Sequence, residues 1–189
     1  MLRNEFKIAI RFTLLTTVML GVLYPLAVTA IGHFFLRGQA DGELIVSNGQ
    51  VTGSPLIGQN FTTGQYFHGR PSAAGNGYDA TSSGGSNYAS SSQKLVTRID
   101  GDVAHYAAEN KSQPVPIDLV TASGSGLDPD ISPAAAMFQA DRVAGARRLP
   151  VAAVQELVQR HVQRRQFGFL GEERVNVLLL NMDLDRLAH

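Results

Sequence analysis

The chain has 189 residues, with 16 Lys and Arg against 16 Asp and Glu, 44% hydrophobic residues, and neither Cys nor Trp. With a formal net charge of zero, nothing in the composition predicts a nucleic-acid footprint. The absence of Cys excludes disulfide staples and thiolate metal sites, and is compatible with an extracytoplasmic location.

The first element in chain order is an apolar run, 12–36, of 25 consecutive residues without a formally charged side chain. As a helix it extends about 37 Å, enough to cross a hydrocarbon core of about 30 Å with some tilt. A cleavable signal peptide, ending near Val28-Thr29-Ala30, is the alternative, but its apolar region is usually only ~7–15 residues long. A retained membrane helix is therefore predicted. Arg3, Lys7 and Arg11 precede it, and Arg37, Asp41 and Glu43 follow it. The excess of basic residues before the span predicts a cytoplasmic tail, 1–11, and an extracytoplasmic domain, 37–189. Pro25 lies mid-span and predicts a kink facing another protein helix.

About 150 residues remain, one ordinary domain with room for a core. Leu44-Ile45-Val46 and Val51 flank Ser47-Asn48-Gly49-Gln50, a hairpin signal, and Leu56-Ile57 suggests another short strand. Between Ser72 and Ser92, 11 of 21 residues are Gly or Ser, the composition of a loop or linker. Tyr66, Phe67, Tyr78 and Tyr88 punctuate the wider polar stretch 59–92 and offer it something to pack with, so an ordered excursion over the domain is the alternative to a linker.

A helix is predicted from Ser91 or Ser92 through Leu95, Val96, Ile99, Val103, Tyr106 and Ala107, ending by Asn110. Residues 117–121 read as a short buried strand, and 122–126 as a glycine loop. Ser132-Pro133 has the cap and first-turn proline of a helix running to Arg147 or Arg148. Pro150 opens another, with Val151, Val154, Leu157, Val158, His161 and Val162 on one side. Residues 175–180 read as a strand buried on both faces, followed by a short helix or turn from Asn181. Alternating helices and strands give one α/β or α+β domain behind a single membrane helix.

Signals for catalysis are weak. Neither Ser123 nor Ser125 has glycines at both −2 and +2, as a nucleophile elbow requires. Ser91-Ser-Gln-Lys94 lacks the companion elements of penicillin-recognising enzymes, and a helix cap explains it. Asp128 and Asp130 could offer oxygen ligands to a hard cation, but calcium-loop spacing is missing and turn formation fits better. His33, His68, His105, His161 and His189 show no metal-ligand spacing. Arg142, Arg147 and Arg148 form a basic helix end, suited to the helix dipole or to a partner or lipid headgroup.

Seven ordered blocks together resemble one family. They are Gly21-Val-Leu-Tyr-Pro-Leu26, Gly53-Ser-Pro-Leu-Ile-Gly-Gln-Asn-Phe61, Tyr66-Phe-His-Gly-Arg-Pro-Ser-Ala73, Ser83-Gly-Gly-Ser-Asn87, the stretch 118–136, Arg142-Val-Ala-Gly-Ala-Arg147, and the stretch 168–178. The chain resembles the C subunit of the Kdp-type high-affinity potassium-transporting P-type ATPase. The family's Ser-Gly-Gly-Ser-Asn block usually runs on to a further Asn, where this chain has Ser92.

The resemblance implies a single-pass subunit of a bacterial inner-membrane complex. Its companions are a channel-like potassium-translocating A subunit, an ATP-hydrolysing B subunit and a very small F subunit. ATP and K+ are handled by the complex, with no cofactor or metal assigned to this chain. The implied role is assembly and activity, either as a catalytic chaperone raising the B subunit's ATP affinity or as an outer gate or filter for potassium entry. An independent membrane-anchored periplasmic enzyme or binding protein is the competing class. The candidate partner-facing residues are Pro25, Arg70, Asn87, Ser123, Ser125, Asp128 and Asp130.

Overall fold

The computed structural model describes residues 2–47 and 49–187. It divides into two units, Met1–Leu44 and Ile45–His189.

The first unit is one helical run followed by a short turn of helix. Helix α1 (Leu2–Val18) passes through a π-helical stretch (Met19–Leu23) into α2 (Tyr24–Phe35), and α3 (Arg37–Ala40) follows. The 33 residues of Arg3–Phe35 have a mean hydropathy of 2.0 in their apolar window, none of which is buried within the chain. The run is long and apolar enough to cross a membrane. It begins ahead of residue 12 because Arg3, Glu5, Lys7 and Arg11 are good helix formers that do not interrupt it. At about 50 Å it exceeds the hydrocarbon core.

The π turn has a local cause. Pro25 has no N–H to give, and its ring crowds the carbonyl one turn earlier. The backbone widens just before it, with the Tyr24 N–H donating to the Met19 carbonyl five residues back. The Thr16 hydroxyl is satisfied within the helix by the Phe12 carbonyl at 2.9 Å, as an apolar medium demands.

The second unit is α+β. Strand β1 (Ile45–Ser47) pairs antiparallel with β2 (Gln50–Gly53), closing at Ser47 and Gln50 with Gly49 at φ 78°. The predicted hairpin is present; its Asn48, like His189 at the terminus, lies outside the described residues. A second sheet has the order β3 (Asp130–Ile131), β5 (Arg174–Asn176), β4 (Val162–Gln163), all antiparallel, with Val175 between Ile131 and Val162. Around it pack α4 (Gln93–Glu109), α5 (Pro133–Arg147), α6 (Val151–His161) and α7 (Val177–Leu187). The core holds Phe67, Leu119, Phe138, Val143, Val154, Val158, Val175, Leu180 and Leu184. Ala135, Ala136, Ala140 and Ala144 are fully buried on α5, and such small side chains allow close approach.

Helix α5 starts as predicted. Ser132 Oγ accepts from the Ala135 N–H at 3.0 Å, and Pro133 follows the cap. It stops at Arg148, left-handed at φ 56°. On α6, Val154, Leu157 and Val158 face inward while Gln155 and Gln159 face water.

Four expectations fail. Leu56-Ile57 is an exposed turn and not a strand. Residues 117–121 form a 3-10 turn (Ile117–Leu119) with Ile117 exposed; the Asp118 carboxylate is drawn instead to the Ser132 N–H and hydroxyl, at 2.7 and 3.1 Å. The 175–180 run changes from strand to helix at Val177. There Asn176 Oδ1 accepts from the Leu179 N–H at 3.1 Å, supplying a helix cap. On α4 only Tyr106 is buried, and Val96 and Val103 of the expected stripe are exposed.

Candidate functional site

Two neighbouring constructions order the segment leading to Arg70 and the loop that carries Ser123, Ser125, Asp128 and Asp130. The first grips residues 64–68, which form no strand. Two buried amides pair with this backbone as an adjacent strand would. Asn181 Oδ1 accepts from the Phe67 N–H at 2.9 Å while its Nδ2 donates to the Phe67 carbonyl at 3.0 Å. Gln139 treats His68 the same way, at 2.8 and 3.1 Å. Arg142 donates to the carbonyls of Gly64 (2.7 Å) and Tyr66 (3.0 Å) and pairs with Glu109 at 3.1 Å. Arg147 donates to the Gln65 carbonyl and pairs with Asp185, and its guanidinium lies 4.7 Å from the Tyr66 ring centre.

Two of the three basic residues at this end of α5, Arg142 and Arg147, therefore turn inward, while Arg148 is exposed. With side chains 15% and 9% exposed, Arg142 and Arg147 hold the domain together and present no patch to a partner or headgroup. Burial, and then Arg142, hold the His68 imidazole below its ordinary value.

The second construction is a cleft of about 640 Å³ lined by Arg70, Ile117, Asp118, Thr121, Asp128, Asp130, Glu172, Glu173 and Arg174, among others. Arg70 donates to Asp128 Oδ2 at 2.9 Å and to the Thr121 carbonyl at 3.3 Å. Its own carbonyl accepts from the Tyr78 hydroxyl at 2.6 Å. Burial pushes Tyr78 up to about 12, so the hydroxyl keeps its proton. Asp128 Oδ1 accepts from the Asp130 N–H at 3.1 Å. Asp130 meets Arg174 at 3.0 Å and Asn176 Nδ2 at 3.2 Å. Burial raises the Asp130 carboxyl, against the opposing pull of Arg174 and Asn176.

Beside the cleft, 72–86 folds onto 123–126. The Ser72 hydroxyl donates to the Gly126 carbonyl at 2.6 Å and accepts from the Tyr78 N–H at 2.8 Å. The Ser125 carbonyl accepts from the Gly84 N–H and the Ser83 hydroxyl, at 2.8 and 3.0 Å. Ser125 Oγ accepts from the Leu127 N–H, and Ser123 is buried with its carbonyl taken by the Gly126 N–H. Both serines thus build a turn.

Of the seven candidates, Arg70, Asp128 and Asp130 converge, and Ser123 and Ser125 shape the adjoining loop. Asn87 is exposed at φ 51° and does not line the cleft. Pro25 belongs to the helical unit. Sequence reasoning missed Arg174, Asn176, Gln139 and Asn181 as individuals. The first two lay inside a quoted block, but their partners are distant in the chain.

A family model described as K+-transporting ATPase, c chain, matches residues 6–186. The chain belongs to the K+-transporting ATPase c-chain family. Proteins called potassium-transporting ATPase KdpC subunit are similar to it over most of their length. That of Acidobacterium capsulatum is 53% identical over 184 residues, 97% of this chain and 99% of the relative. That of Caulobacter vibrioides is 54% identical over 172 residues, 90% and 87% of the two chains. That of Mycobacterium tuberculosis (H37Ra) is 48% identical over 189 residues, 98% and 100%.

The c-chain match takes in the uncharged stretch 12–36 and every residue of the cleft. In this c-chain member Asp128 and Asp130 each have a guanidinium partner, and Asp118 is occupied by Ser132. Among the described residues no three His, Asp or Glu side chains form a metal-holding group. Carboxylates already paired in this way give a preformed surface of both signs, suited to meeting other charged groups and ill suited to stripping water from a cation.

Proposed function

We propose that this chain is a non-catalytic accessory subunit of an ATP-driven potassium-uptake complex in the bacterial inner membrane. Its span, 12–36, anchors it, with 1–11 in the cytoplasm and 37–189 on the outer side. The observation that carries this reading is the family match over 6–186, which spans both the apolar helix and the domain. Its partners are the channel-like A subunit, the ATP-hydrolysing B subunit and the small F subunit. The basic residues Arg3, Lys7 and Arg11 ahead of the span support the orientation.

Within this reading the chain acts as a catalytic chaperone indirectly. ATP is cytoplasmic, and only about eleven residues reach that side in the proposed topology. Any effect on ATP affinity must therefore pass through packing that favours one state of the complex. Arg70, Asp128 and Asp130, with the loop of Ser123 and Ser125, dock on the outer mouth of the channel-like subunit. Exposed Asn87 adds to that docking surface, and Pro25 marks the helix face turned to another membrane helix. The paired carboxylates of the cleft favour docking over a potassium filter.

Removing the chain should abolish potassium-stimulated ATP hydrolysis by the transporter, and restoring the full chain should recover it. Undiminished hydrolysis without it contradicts the reading. A photoreactive ATP analogue should label the ATP-hydrolysing partner and leave 37–189 unlabelled; label within that range contradicts indirect coupling.

A further inference from the structure

Between β4 and β5 the chain forms a tight loop whose apolar side chains the domain does not use. Phe167 is 87% exposed, Phe169 71% and Leu170 46%. Among the described residues neither phenylalanine makes a ring contact with another aromatic. The loop is nonetheless closed. Gln166 and Leu170 exchange both backbone hydrogen bonds at 2.9 Å, the Gly168 N–H donates to the Arg165 carbonyl at 3.1 Å, and Arg165 pairs with Glu172 across the base. Phe167 is left-handed at φ 53°, an unfavourable backbone for an aromatic residue. A fold that holds an exposed ring in that conformation keeps it projected.

The surroundings indicate what the tip meets. Arg164, Arg165, Glu172, Glu173 and Arg174 flank it in the chain with both signs of charge. Glu172, Glu173 and Arg174 also line the cleft that holds Arg70, Asp128 and Asp130, so the chain leaving the tip runs into the wall of that cleft. Apolar anchors inside a polar rim are the anatomy of a protein–protein contact. A lipid surface fits less well. Arg165 and Arg174 are already paired with Glu172 and Asp130, which leaves little basic charge for anionic headgroups, and a loop already closed by hydrogen bonds saves ordering cost chiefly against a shaped socket.

We infer that Phe167 and Phe169 are the apolar anchor by which this domain docks into a socket on another protein subunit, one rimmed by charges of both signs. This rests on the accessory-subunit reading.

The test uses the full chain, tagged, in membranes that contain the transporter. A benzophenone amino acid replaces Phe167, and in a second preparation Gln155, exposed on α6. Illumination should crosslink position 167 to a protein subunit and leave position 155 without that adduct. The double variant Phe167→Ser, Phe169→Ser should keep the wild-type melting midpoint, since both rings are exposed, yet recover partner subunits at least about tenfold less well. Lipid-only adducts at 167, or undiminished recovery by the double variant, overturn the anchor while leaving the subunit reading in place. Failure of the wild-type chain to recover any ATPase subunit removes both.

Discussion

Gln139 and Asn181 do for residues 67–68 what a neighbouring strand would, each accepting from one N–H and donating to one carbonyl. Gln139→Leu keeps most of the volume but strands both His68 backbone groups and releases Arg142, whose Nη2 donates to Gln139 Oε1 at 2.7 Å. A loss of about 2–4 kcal/mol is expected, because an unsatisfied buried polar group costs about 1–3 kcal/mol. Thermal unfolding should show a midpoint lower by roughly 5–15 °C.

His68, in the same segment, makes stability depend on pH. Facing it are Arg142, Glu109, His105 and the Thr63 carbonyl, and burial with Arg142 lowers its pKa from 6.5. The unfolded chain therefore takes up the proton first. The stabilisation is fully present above pH 6.5 and is lost as pH falls through the lowered folded value. Melting midpoints measured downward from pH 7.5 should decline in that window, and His68→Gln should flatten the decline. Asp130 has the opposite sign: its carboxyl is raised above 3.8, so its contribution is present below 3.8 and lost as pH rises through the folded value.

At the scale of elements, the union of 72–86 with 123–126 hinges on Gly126. It is left-handed at φ 66°, and a Cβ there would lie 2.7 Å from both the Ala74 nitrogen and the Gly84 oxygen. Gly126→Ala should cost about 2–4 kcal/mol from backbone strain and overpacking together. Gly124→Ala, two residues away with no atom within 4 Å of the added carbon and no positive φ, should change the unfolding midpoint little. Similar midpoints for the two variants would mean that this union does not hold the domain.

The elements readable from sequence were those with local signals. Ser132-Pro133 marked the start of α5, Val154, Leu157 and Val158 marked the buried face of α6, and the 44–53 pattern marked the hairpin. The α7 boundary was not readable, because an apolar run such as 175–180 suits a buried strand or a buried helix equally and the capping role of Asn176 is decided in three dimensions. The glycine- and serine-rich stretch looked like a linker because its ordering partners are remote: Ser72 bonds Gly126 across 54 positions, and Ser83 bonds Ser125 across 42. Arg70 and Asp128 were individually visible in the sequence; their pairing across 58 positions was not.

For the molecule as a whole, the chain joins an apolar helix, exposed along its length, to a domain whose conspicuous polar side chains are committed to its own loops. Both features suit a part of a larger assembly. In the proposed complex the Pro25 region faces other helices, and the domain presents a preformed cleft and an aromatic tip. Replacing Arg70, Asn87 and Asp128 together by Gln, Ala and Asn should weaken association with the transporter and lower transport. Unchanged assembly and transport would place the docking surface elsewhere.

The central claim, that this chain works as a subunit and not alone, is tested most directly by co-purification. The full chain is tagged and extracted in mild detergent from membranes that contain the pump, and its companions are identified. The account predicts recovery of a P-type ATPase and a channel-like subunit, with potassium-stimulated ATP hydrolysis that fails when this chain is omitted. Recovery of this chain by itself from such membranes would contradict it.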